Sequence, residues 1–155
     1  MTHRPVTTTG LEPTPRVSPD DRVLWRIAWL LLFVALTLGV ASALHLSGVV
    51  HGSPPFDADH AGIAEAVIGA VLVGSALVML AAPAHARAAG LAGTGFAVVG
   101  FAVGLDFTSQ GGHVPDVAYH VTLLPVLLAT LLVLLRLTLR PRRNPPRPMR
   151  AAGVG

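Results

Sequence analysis

Residues 23–46 read VLWRIAWLLLFVALTLGVASALHL, and Arg26 is the only formal charge among them. At about 1.5 Å per residue, a helix of this length reaches about 36 Å, enough to cross the hydrocarbon core of a bilayer with some tilt. Arg26 lies one turn in, where its long side chain can snorkel toward the near interface. Trp25 and Trp29 have the amphipathic character of interfacial anchors. A secretory leader is not the reading, because the run is long and three more follow it.

The second run goes from His60 to Ala82, is interrupted only by Glu65, and meets a stop at Pro83. The third extends from Ala86 to Phe107 and is rich in Gly and Ala, which soluble helices tolerate poorly and closely packed membrane helices use. The fourth covers Val117 to Leu135 and contains Pro125, which predicts a bend whose freed backbone carbonyl turns toward protein or water. The expected fold is all-α: a four-transmembrane-helix bundle with short loops.

Composition agrees. Of 155 residues, 52 % are hydrophobic and 12 % charged, and the mean hydropathy is positive at +0.65. A soluble domain of this length could not hide so much apolar surface, whereas a membrane protein need not hide it from lipid. Cysteine is absent, which removes disulfides, thiolate metal sites, iron–sulfur clusters and cysteine nucleophiles. The formal charge of +3 and pI ≈ 11.0 do not predict nucleic-acid binding, because apolar runs divide the basic residues and no continuous face can track phosphates.

The arginines set the expected orientation. All eleven fall before or at the start of span one, at Arg87 in the hairpin after Pro83, or from Arg136 onward. The positive-inside rule assigns those segments to the cytoplasm, so both termini are expected inside the plasma membrane of the cell. Asp57, Asp59, Glu65, Asp106 and Asp116 then fall in the outer half. Residues 1–22 carry prolines and hydroxyl side chains without apolar periodicity and are expected to form a disordered cytoplasmic tail. The Pro- and Arg-rich segment 138–155 is expected to be drawn to anionic lipid headgroups, at about 1 kcal/mol per basic side chain near the surface.

Two small-residue patterns suggest how the spans pack. Gly62, Ala66, Ala70 and Gly74 recur at four-residue steps in span two, and Gly100 and Gly104 follow Phe96 in span three, with Gly93 and Ala97 on a neighbouring stripe. Such spacing lets two backbones approach closely. The short hairpin from Pro83 to Arg87 makes spans two and three antiparallel neighbours. Spans one and four, richer in Leu and Val, are expected to show the larger surfaces to lipid or to a partner subunit.

Chemistry-bearing side chains gather at one end. His45, His51, His60, His113 and His120 lie there in the company of the five outer acids. Glu65 is about 7.5 Å deeper along its helix than His60, a placement that is costly unless the carboxyl is protonated, paired or turned inward. Asp116 and His120 are four apart and share a helix face, and Tyr119 points elsewhere. The candidate ligand or proton site is therefore His45, His60, Glu65, Asp106, His113, Asp116 and His120, with Glu65 and His120 expected to face one another. A divalent-metal reading would use His60, Glu65 and His120 with zinc, copper or iron, although no established ligand spacing is present. A haem reading would pair His45 with His120 or His60. A proton-responsive or small-solute transport component is a further alternative, but no polar residues continue from Glu65 to the opposite face. Ser109 lacks a nucleophile elbow, so the residues give little support to an enzyme. The leading expectation is an accessory or structural membrane protein, alone, as a homo-oligomer or in a larger membrane complex, whose His/acid cluster binds a small ligand or organises an assembly.

The stretch GFAVVGFAVGLDFTSQGGHVPDVAYH, residues 95–120, within a similar region spanning 59–136, resembles the small four-helix membrane proteins of high-GC actinobacteria. Gly112, His113, Asp116, Tyr119 and His120 carry the likeness. It implies a bundle of this topology, with no assigned activity, cofactor or partner.

Overall fold

The computed structural model describes residues 18–51, 53–54 and 56–139, so the expectations for the outermost tails fall largely outside the described residues. Four helices follow in order: α1 Pro19–Leu46, α2 Ala58–Ala81, α3 Ala86–Ser109 and α4 Val114–Leu139, with a 3-10 turn at Pro83–His85 leading into α3. All four are long and apolar enough to cross a membrane. The chain is an all-α bundle and a multi-pass membrane protein.

The helices extend past the apolar runs because local caps start them earlier. Ser18 accepts the Asp21 N–H at 3.1 Å while the Asp21 carboxylate accepts the Ser18 N–H at 3.2 Å, a reciprocal box with Pro19 as the first helical residue. This begins α1 four residues before Val23. Asp57 caps α2 by accepting the His60 N–H at 3.1 Å. Inside α4 the helix continues through Pro125.

In chain order, each helix packs along the next. Helices α1 and α4 are joined through side chains: the Thr37 and Tyr119 hydroxyls meet at 2.9 Å, and His45 reaches Asp116. The core is a column of Leu31, Val34 and Leu38 from α1, Leu72 from α2, Phe101 from α3 and Leu127 from α4. At the end opposite His45 and His120, Arg87 donates to an Asp20 carboxylate oxygen at 3.0 Å and to the Leu137 carbonyl at 3.0 Å, tying the starts of α1 and α3 to the close of α4. Helix α1 is the most buried of the four and α4 the least. The larger outer surface expected of both is therefore found on α4, while α1, although more buried, still turns Trp25, Trp29, Phe33, Leu36 and Val40 outward.

The small residues also sort differently from the four-residue reading. On α2, Gly62 is buried, but Ala66, Ala70 and Gly74 are exposed. The inward face is instead Gly62, Glu65, Gly69, Leu72 and Ala76. A Cβ on Gly62 would lie 2.8 Å from the Leu46 side chain, and one on Gly69 3.5 Å from the Ala35 carbonyl oxygen, so these glycines bring α1 close. On α3, Gly93 lies against Ser75 and Gly100 against Ile68, which makes the α2–α3 contact as tight as the sequence suggested.

Thr94, wholly buried on α3, has an Oγ1 without a hydrogen-bond partner among the described residues. An unmade bond on a buried hydroxyl costs about 1–3 kcal/mol. Thr94→Val keeps the shape and removes that group, so it is expected to raise unfolding stability in detergent by about 1 kcal/mol. A drop in stability would show that the hydroxyl is satisfied.

Candidate functional site

The site begins where α1 passes closest to α2. Because Gly62 has no side chain, α1 can lay Ser42 and His45 against α2: the Ser42 hydroxyl donates to the Gly62 carbonyl at 2.7 Å, and His45 Nδ1 meets Glu65 Oε2 at 2.8 Å. On its other side, His45 Nε2 meets Asp116 Oδ2 of α4 at 3.2 Å. His45 and Glu65 are 2 % and 5 % exposed, so one imidazole links carboxyl groups from two other helices inside the bundle. Carboxylates only accept, so each contact needs a proton on the ring or on the acid. In the form where both ring nitrogens donate, one imidazolium charge faces two carboxylates. Phe56, buried in the first loop, covers the group with its ring centroid 6.0 Å from that of His45. The Ser53 N–H donates to the Gly111 carbonyl at 3.0 Å and joins the two loops at this end.

His120 belongs to the same end but not to the triad. Its Nδ1 lies 2.8 Å from the Asp116 carbonyl oxygen, and since a carbonyl only accepts, Nδ1–H is the donor. Nε2 of the neutral ring is then an acceptor. It lies against Gly104, where a Cβ would come within 2.5 Å of it, and the ring sits 5.2 Å from that of Phe101. Pairing Ile68 with Gly100 fixes the antiparallel register of α2 and α3. One turn further, it sets Glu65 and Gly104, hence His120, at the same height.

Between the halves of α2 and α3 nearest the triad lies a cleft of ≈600 Å³, a size common for small-molecule sites. Ala64, Val67 and Ile68 form one wall and Val99, Gly100 and Val103 the other. Its polar end carries Asp57, His60, Glu65 and His120. Ala64, Val67, Val99 and Val103 are exposed on the outer surface, so the cleft opens sideways between the helices.

The remaining candidates lie apart. His60 is on the surface, its Nδ1 2.9 Å from Asp57 Oδ2. Asp106 is exposed and accepts from Gln110 at 3.2 Å. His113 is exposed in the second loop, where its carbonyl receives the first N–H groups of α4. Glu65 bonds to His45 and lines the same cleft as His120. Among the described residues no three His, Asp or Glu side chains are placed to hold a metal ion, and the set His60, Glu65 and His120 is not gathered as ligands would be. For haem, both nitrogens of His45 are already engaged by carboxyl groups. Glu65 and His120 do line one pocket, and what the sequence alone does not show is its form, an apolar cleft opening sideways between α2 and α3. Its signal was the pair Gly100 and Gly104, which was read only as a packing stripe.

Asp57 gives a pH expectation. The backbone N–H of His60, followed by the charge and ring N–H of His60, holds its carboxyl below the ordinary 3.8, although partial loss of water opposes this. A depressed folded value means the cap is fully present above the unfolded value near 3.8 and is lost as pH falls through the lower, folded one. Protection of the first-turn amides of α2, taken relative to their intrinsic exchange rate at each pH, should therefore fall on acidification in that range and stay constant there in Asp57→Asn. Unchanged acid sensitivity in the variant would contradict this assignment.

Comparison with protein-family models, curated proteins and solved structures gives no match. The likeness of residues 95–120 to actinobacterial proteins is thus tied to no family, and the four-helix apolar bundle stands on the structure.

Proposed function

We propose that this chain is an accessory membrane protein that binds a small amphiphile entering sideways from the bilayer. The observation that carries the reading is the cleft between α2 and α3, apolar along its walls and ended by the buried groups Glu65 and His120. An amphiphile has the same division, with a hydrocarbon body for Val67, Val99 and Val103 and a polar head for the acid and imidazole. The His45–Glu65–Asp116 triad holds Glu65 in place, which gives the head a fixed partner rather than a mobile one. Past the triad, Leu31, Leu38, Leu72 and Leu127 close the core, which favours binding over passage. The arginine distribution supports placing the cleft in the outer leaflet, with both tails in the cytoplasm and the Arg-rich C-terminal segment against anionic headgroups.

Native mass spectrometry of gently extracted protein tests the reading. One bound amphiphile per bundle is expected, and Ala64→Trp with Val99→Trp, both on the exposed walls, should remove it without unfolding the helices. Equal occupancy of the plugged variant and the parent would reject the cleft as the site.

A further inference from the structure

Resting on that reading, we infer that the head recognised in the cleft is a primary ammonium, so that the ligand is a lipophilic amine. The polar end offers acceptors. His120 is 7 % exposed, its Nδ1–H is committed to the Asp116 carbonyl, and Nε2 has no hydrogen-bond partner among the described residues. Glu65 uses Oε2 for His45, while Oε1 has no hydrogen-bond partner among the described residues. Both side chains line the cleft, and the α2–α3 register puts them at one height. Two acceptors at one level call for a head with at least two donors. A hydroxyl offers one O–H, whereas a primary ammonium offers three N–H groups.

Charge points the same way. The cleft's lining includes the acids Glu65 and Asp57, the latter against His60, and no arginine. In the form where both acids are ionised and both nitrogens of His45 donate, its single positive charge faces two carboxylates and the triad carries one net negative charge. A buried charge is tolerated when paired, and an ammonium beside Glu65 pairs it. A carboxylate or phosphate head would add a like charge. For the body of the ligand, the walls supply Ile68, Val99 and Val103, with Phe56, Phe96 and Phe107 around them.

The test compares dodecylamine, dodecanol and dodecyl sulfate for binding to the full chain in phosphatidylcholine nanodiscs, with empty discs as the blank. Dodecylamine should bind at least about tenfold tighter than dodecanol. Glu65→Gln should reduce it to the level of dodecanol, and Val103→Trp, on the exposed wall and outside the triad, should abolish both. If dodecanol or dodecyl sulfate binds as tightly as dodecylamine and Val103→Trp removes it, the ammonium head is wrong and the cleft reading survives. If no probe binds above the blank, or binding ignores Val103→Trp, both fail.

Discussion

Replacing His45 with alanine should destabilise the bundle by about 3–5 kcal/mol, the usual result of removing one member of a buried charged group. Glu65 and Asp116 each spend an oxygen on the two nitrogens of this ring, and without it two carboxyl groups lie near one another in the interior with neither counter-charge nor donor. The loss is expected to be large because packed helices in lipid gain little hydrophobic drive from meeting, so polar links between them carry more of the association. The removal of all three groups together, as His45→Leu with Glu65→Leu and Asp116→Leu, should recover most of the stability, since no uncompensated polar group remains. Unfolding in mixed micelles measures both. If the single and triple variants melt together, His45 is not mediating between the acids.

The second large effect concerns the α2–α3 seam. Gly93→Leu drives a side chain into Ser75, whose Cβ lies 2.6 Å from where a Cβ on residue 93 would stand. Ser75 sits on helical backbone and cannot retreat far, so about 1–3 kcal/mol of overpacking is expected. Gly74→Leu is the control. A Cβ there meets nothing within 4 Å, and the change should stay within about 0.5 kcal/mol of the parent. A four-residue stripe through Gly74 would reverse the two outcomes, which makes the comparison a direct reading of how α2 is rotated.

That rotation separates what could be read from the sequence from what could not. The four spans follow from run length and sparse charge, which depend on the bilayer and not on neighbours. The gathering of His45, Glu65, Asp116 and His120 at one end follows from their positions along those spans. Partner choice needs the angle of each helix about its own axis. On α2, Gly62 belongs equally by spacing to a stripe through Ala66, Ala70 and Gly74 and to one through Glu65, Gly69 and Leu72, and only the cost of a lipid-facing Glu65 argues for the second. The second stripe wins because it turns Glu65 inward, where His45 meets it. The same choice leaves Ala64 and Val67 facing outward beside Val99 and Val103, and so creates a lateral cleft whose walls depend on that rotation. Phe56 shows another limit. It lies in a loop without periodicity, and its burial over His45 follows from the loop-to-loop bond between Ser53 and Gly111.

Photolabelling tests the lateral cleft most directly. A long-chain aliphatic amine bearing a diazirine midway along its chain, added to the full chain in nanodiscs and irradiated, should place its adducts on the facing walls of α2 and α3. Peptide mapping should find them around Ala64, Val67, Val99 and Val103, with labelling outcompeted by dodecylamine. Adducts spread evenly over the outward faces of α1 and α4, or undiminished by competitor, would contradict a defined site between α2 and α3.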